Sequence, residues 1–287
     1  MRRIRTIAVL PTLFTVGNLV CGFFAIVVAS RIPAPESAQI PVAAAIEYRA
    51  APVRVPDLNR EDPTHNLMFA GWLIFLAMVF DALDGQVARL SRTNTDFGAQ
   101  LDSLCDVVTF GVAPAILLVK MCPTFSYLHP KAIWIIAAFF AACAAMRLAR
   151  YNVESGDHDD HLNFCGLPTP AAAAVIAGFA ILTYTLRLED NTFALYDRWM
   201  QYTLPIFSVP VALLMVSRIP YPHLVNQMLH GQRSFDHVVK LLVALVAIML
   251  VRGYAVPILC VVFVLGPPLR YFWLQARGYA PKRAGRW

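Results

Sequence analysis

Eight stretches of this 287-residue chain are apolar over helix length, at about 7–29, 66–89, 97–119, 131–150, 168–186, 200–217, 236–251 and 254–272. Lipid offers no hydrogen-bond partner to a bare peptide group, so a bilayer is crossed only by helices or closed barrels. Runs of roughly 20 apolar residues suit the helix, because at 1.5 Å per residue they cross a hydrocarbon core of about 30 Å. The expected fold is therefore all-α: a polytopic membrane helix bundle with about eight transmembrane helices, the last two joined by the short break Arg252-Gly253. Composition agrees, with 58% hydrophobic and only 15% charged residues, whereas a soluble domain carries about 25% charge.

The first apolar run, about Ile7 to Ala29, exceeds the roughly 7–15 residues of a signal-peptide core and is expected to stay as a span. The net charge of +6 is explained by topology. Arg2, Arg3 and Arg5, Arg89 and Arg92, Arg147 and Arg150, Arg218 and Arg233, and the tail Arg277, Lys282, Arg283 and Arg286 fall on one side of the expected membrane. The opposite side holds the segment Arg31–Asp62, with four arginines against five acids. The positive-inside rule then puts both termini in the cytoplasm. The excess of basic residues meets lipid headgroups, and no nucleic acid is implied. The whole chain, 1–287, reads as one integral membrane domain: a core at about 7–217, an extra helix pair at 236–272, an external loop at about 31–65 and a basic tail at 273–287. The six cysteines form no CxxC pair and read as small buried hydrophobes.

Against this background four aspartates stand out, Asp81, Asp84, Asp102 and Asp106, between LMFAGWLIFLAMV and VVTFGVAPAILLV. A charge at the bilayer centre costs at least about 2.5–3.5 kcal/mol, so acids retained there need partners. Asp81, Asp84, Gly85 and Ala88 follow an i, i+3, i+4, i+7 pattern and share one helical face; Gly98, Asp102 and Asp106 share another. A polar link, Ser91–Asp96, joins the two helices as a hairpin, with Asp96 capping the second. Counted from that turn, Asp84 and Asp102 lie at similar depth and Asp81 and Asp106 one turn deeper. Four carboxylates so placed suit hard cations such as Mg²⁺ or Mn²⁺, and a pair of ions about 3.5–4 Å apart suits phosphoryl transfer. Gly85, Ala88 and Gly98 leave room for a nucleotide or phosphate, although small residues also serve helix packing. Arg89 adds a cation at the rim, as phosphate ligand or topology anchor. A carboxylate-lined transport pathway is the alternative from another class. The acidic loop Gly156–His161 reads as solvated.

The pattern Asp81-x-x-Asp84-Gly85-x-x-Ala88-Arg89, eight residues, Gly98-x-x-x-Asp102-x-x-x-Asp106 resembles the signature of the CDP-alcohol phosphotransferase family at every fixed position. The resemblance implies a membrane enzyme, usually a homodimer with a six-helix core, that moves a phosphatidyl-type group from a CDP-linked lipid to an alcohol and releases CMP. It further implies that all four aspartates bind two divalent cations, Mg²⁺ or Mn²⁺, that Asp106 is the general base, and that Gly85, Arg89 and Thr95 contact the CDP-lipid, with Ala88 and Gly98 beside them. PTLFTVGNLVCGF, with Thr15 and Asn18, and MRLARYNV followed by FCGLPTPAAA are similar to the phosphatidylserine synthase branch. That likeness makes CDP-diacylglycerol and L-serine the expected substrates. Asn18 is then a candidate CDP-lipid contact or a helix–helix hydrogen-bonding residue. Arg147, Arg150 and Asn152 are candidate acceptor ligands, since serine needs a cation for its carboxylate and an acceptor for its ammonium. Glycerol 3-phosphate, inositol or its phosphate, and choline stay open as acceptors. The expected location is the inner membrane, with the site facing the cytoplasm.

Overall fold

The computed structural model of the chain describes residues 9–32, 63–91, 96–154, 166–189, 193–219, 221 and 255–277. Among these every regular element is helical: α1 (Val9–Ser30), α2 (Pro63–Ser91), α3 (Asp96–Asp106), a π-helical turn (Val107–Val112), α4 (Ala113–Met121), α5 (Pro123–Leu128), α6 (Pro130–Glu154), α7 (Thr169–Glu189), α8 (Phe193–Val216) and α9 (Ala255–Ala276). Among the described residues six helices are long and apolar enough to cross a membrane: Thr12–Ser30, His65–Gly85, Phe97–Met121, Pro130–Val153, Thr169–Leu186 and Trp199–Val216. They coincide with the first six predicted spans. The eighth falls in α9, whose apolar stretch Val256–Arg270 is shorter. The seventh (236–251), the break at Arg252-Gly253, most of the loop 31–65, the end of the tail, Cys165 and the loop Gly156–His161 lie outside the described residues.

Small residues set how closely these helices approach, as expected where lipid removes the hydrophobic drive for association. In α7, Ala172, Ala173, Val175, Ile176, Ala177 and Ala180 are buried, and α7 packs on α2 and α9. Large side chains such as Phe23, Trp72, Trp134, Ile135 and Ile206 point outward. On a soluble protein that apolar surface would be an association site; here it is the face offered to lipid.

α1 packs against α2, α3 and the π turn. Its direction is fixed at both ends. Thr15 and Asn18 meet Asp84 and Asp106, while the Lys120 ammonium donates to the Ile32 carbonyl at 2.6 Å. α1 thus runs parallel to the α3–α4 span and lies against both arms of the aspartate hairpin.

The third span is a single expected helix, yet it contains a π turn, and Pro114 accounts for it. Proline has no N–H for the Phe110 carbonyl and its ring crowds that oxygen. The preceding turn is wound wider, with the Ala113 N–H on the Val108 carbonyl five residues back. This turn presents Thr109, whose hydroxyl donates to the Asn18 carbonyl at 3.3 Å. A Cβ on Gly22 would sit 2.8 Å from the Thr109 Cα. Gly22→Ala is accordingly expected to push α1 off the π turn and cost about 1–3 kcal/mol. A lowered thermal unfolding midpoint in detergent would register it; an unchanged midpoint would mean that the two segments are free to separate.

Candidate active site

The spacing of the acids is local and survives in the structure: Asp81 and Asp84 lie on α2, and Asp102 and Asp106 on α3. One carboxylate oxygen from each of Asp81, Asp102 and Asp106 lies within 4.8 Å of the others. The two expected depths therefore merge around three acids. Asp84 turns differently. It is 7% exposed and accepts a hydrogen bond from the Thr15 hydroxyl on α1, while its charge still acts on Asp81 and Asp102. Asp106, 6% exposed, accepts at Oδ1 from Asn18 Nδ2 at 2.9 Å.

Whether these residues suit a cation can be tested on the donor set itself. Two atoms near the cluster, Asp102 Oδ1 and Asn18 Oδ1, are buried and lack a hydrogen-bond donor. A buried acceptor left unmade costs about 1–3 kcal/mol, more when charged. Three carboxylates at this separation also repel one another. Oxygen donors with an unmet demand for positive charge fit a hard divalent ion.

Arg147 on α6 is the cationic side chain the described structure brings to this cluster, with its charge acting on both Asp81 and Asp106. Its Nη1 donates to the Thr169 hydroxyl at 3.1 Å. The other two acceptor candidates have different partners. Arg150 Nη1 donates to the Val216 carbonyl at 3.0 Å, at the end of α8, a favourable place for a cation. Asn152 and Ser103 exchange hydrogen bonds at 2.9 and 3.1 Å, tying α6 to α3 next to Asp102. Helical rotation separates the three, since Asn152 lies about 140° around α6 from Arg147.

Of the CDP-lipid candidates, Gly85 is exposed and Gly98 half-buried beside the acids, and Asn18 is fully buried. The side chains of Ala88, Arg89 and Asp96, and all of Thr95, lie outside the described residues. Thr169, Ser103 and Thr109 have contacts that sequence reasoning did not assign. Only the first has a visible signal, since it opens α7 as the Thr of LPTPAAA. The corner before it is built by Gly166 at φ +93°, where the Gly166 and Leu167 N–H groups donate to the Ile219 and Leu214 carbonyls at 2.9 Å each.

A carboxylate hairpin on two helices long and apolar enough to cross a membrane, with the first helix against both arms, is thus in place. Residues 8–214 match the family model described as CDP-alcohol phosphatidyltransferase. The chain belongs to that family, and it is an integral membrane protein. It is similar to the CDP-diacylglycerol–serine O-phosphatidyltransferase of Methanocaldococcus jannaschii, 37% identical over 155 residues, covering 54% of this chain and 64% of the relative. The enzyme of the same name from Helicobacter pylori strain 26695 is 35% identical over 161 residues, covering 56% and 63%. The archaetidylserine synthase of Methanothermobacter thermautotrophicus is 35% identical over 152 residues, covering 52% and 56%. The matched stretch spans less than two thirds of each of these relatives.

Proposed function

We propose that this protein transfers the phosphatidyl group of CDP-diacylglycerol to the hydroxyl of L-serine, giving phosphatidylserine and CMP. The observation that carries the reading is the convergence of Asp81, Asp102 and Asp106, with Asp102 Oδ1 buried and lacking a donor, on the hairpin that bears the signature motif. The serine acceptor is supported by the names of the relatives and by Arg147 beside the acids.

The chemistry is a single displacement. The serine oxygen forms a bond to the β-phosphorus, the pyrophosphate P–O bond breaks, and CMP leaves with the electron pair. Two divalent cations, Mg²⁺ or Mn²⁺, held by Asp81, Asp84, Asp102 and Asp106, would supply the charge that neutralises the pyrophosphate. Asp106 takes the serine hydroxyl proton on the oxygen that Asn18 does not occupy, a role that requires hydrogen-bond reach to that hydroxyl. Arg147 holds the serine carboxylate, its orientation set by Thr169. Gly85, Ala88 and Gly98 leave the space between α2 and α3 open to the nucleotide, with Arg89 and Thr95 at its rim. The acyl chains stay among the lipid-facing side chains. In this reading the site faces the cytoplasm of an inner-membrane protein, the core at about 7–217 carries the chemistry, and two chains form a homodimer.

Arg147→Lys keeps the charge but loses the planar fork, and is expected to raise the KM for serine about tenfold with a smaller change in kcat. An equal rise in the KM for CDP-diacylglycerol would place Arg147 on the pyrophosphate instead. The acceptor is tested with purified protein in detergent, CDP-diacylglycerol and Mn²⁺, offering serine, glycerol 3-phosphate, inositol and choline separately. CMP release with serine alone is expected. Release only with another acceptor overturns the serine assignment, and no release together with cation uptake into vesicles overturns the enzyme.

A further inference from the structure

The two hydrogen bonds that α1 makes to the hairpin have a common geometry. Thr15 and Asn18 are one turn apart on α1 and buried, at 4% and 0% exposure. Each donates to a carboxylate on a different arm, Thr15 to Asp84 on α2 and Asn18 to Asp106 on α3. α1 packs on both arms, and through these two residues it holds one acid of each pair.

The orientation of the Asn18 amide is fixed by electrostatics. Turned over, it would set its oxygen against Asp106 Oδ1 at the 2.9 Å now spanned by a hydrogen bond. In the observed orientation the donor is spent on Asp106 and the oxygen has no donor at all. A leucine has the same branching at Cγ and no stranded acceptor, so what Asn18 gains for the protein lies at Asp106. Its backbone is held as well. The Asn18 carbonyl takes the Thr109 hydroxyl, and Gly22, one turn on, lets α1 come close enough for that contact.

We propose that Thr15 and Asn18 are positioning residues of the carboxylate site. Each occupies one oxygen of its aspartate, and the two together decide which oxygens of Asp84 and Asp106 are presented to divalent cations. Partners of this kind, behind the ligands themselves, set affinity by fixing ligand orientation. The proposal rests on the phosphatidyl-transfer reading for the presence of cations, and it replaces the expectation that Asn18 touches the CDP-lipid directly.

Mn²⁺ binding to purified protein in detergent, followed by the spin-resonance signal of free Mn²⁺ without CDP-lipid, tests it apart from turnover. Thr15→Val keeps the shape and removes the donor, and Asn18→Leu keeps the branching at Cγ and removes the donor on the other arm. Each is expected to weaken Mn²⁺ about 10- to 100-fold, whereas Thr15→Ser, which keeps the hydroxyl, stays within about threefold of wild type. Size-exclusion profiles confirm that the variants are folded; should Thr15→Val aggregate, Asn18→Leu decides alone. Mn²⁺ affinity equal to wild type in the folded variants, with a raised KM for CDP-diacylglycerol, overturns the positioning role and puts α1 on the lipid substrate. A wild-type protein that binds no Mn²⁺ overturns the phosphatidyl-transfer reading and the positioning role together.

Discussion

Asp106→Asn is expected to reduce turnover by about 10³-fold or more, the scale of losing a general base that also carries charge in the site. The fold should tolerate the change. Asparagine has the same shape, and its amide oxygen can still accept the Asn18 Nδ2–H bond now made at 2.9 Å. What disappears is the negative charge next to Asp81 and Asp102 and the oxygen able to take a proton from the acceptor hydroxyl. At a Mn²⁺ concentration that saturates the variant, binding of CDP-diacylglycerol, whose nucleotide would sit beyond Gly85 and Gly98, is expected to change by only about threefold, because the proton transfer matters mainly in the transition state. Single-turnover CMP release and equilibrium binding of CDP separate the two effects. Turnover near wild type would rule out Asp106 as the base.

The second large effect falls on stability. Gly166 adopts φ +93°, a region costly by about 1–3 kcal/mol for a residue with a side chain. Sterics add to that: a Cβ there would lie 2.5 Å from the Met215 carbonyl oxygen and 2.8 Å from that of Ser217. Both neighbours are backbone at the end of α8 and cannot swing aside. Gly166→Ala should therefore destabilise the protein by about 3–5 kcal/mol, at the exceptional end for a single substitution. The same shift would move Thr169 away from Arg147, so serine KM should rise in whatever protein stays folded. A large drop in the thermal midpoint in detergent is the expected readout. A drop of only a degree or two would show that the α6–α7 corner yields easily.

Some of this architecture is local and so was legible in the sequence. Six spans follow from apolar length alone, and the aspartates follow from i, i+3 and i+4 spacing on α2 and α3. Other features depend on contacts between distant segments. That Asp84 is held by Thr15, 69 residues away, needs α1 to lie against the hairpin, and no periodicity encodes it. Arg147 and Arg150 look equivalent in MRLARYNV. Only the packing of α6 on α8 assigns Arg150 to the Val216 carbonyl and leaves Arg147 beside the acids. The π turn had a readable cause in Pro114, but an interior proline can also kink a helix. The wider turn is what forms, with the Thr109 hydroxyl on the Asn18 carbonyl. Asn18 itself was open between lipid contact and helix–helix bonding, and its partner proves to be a carboxylate on a neighbouring helix.

On the proposed reading the carboxylate hairpin moves a phosphatidyl group to serine with the help of divalent cations. Purified protein given CDP-diacylglycerol, labelled L-serine and Mn²⁺ should produce CMP and lipid-bound serine in equal amounts. Both should stop on chelation and resume when Mn²⁺ is restored. CMP without lipid-bound serine would rule out transfer to serine, and undiminished product formation after chelation would rule out a cation-dependent site.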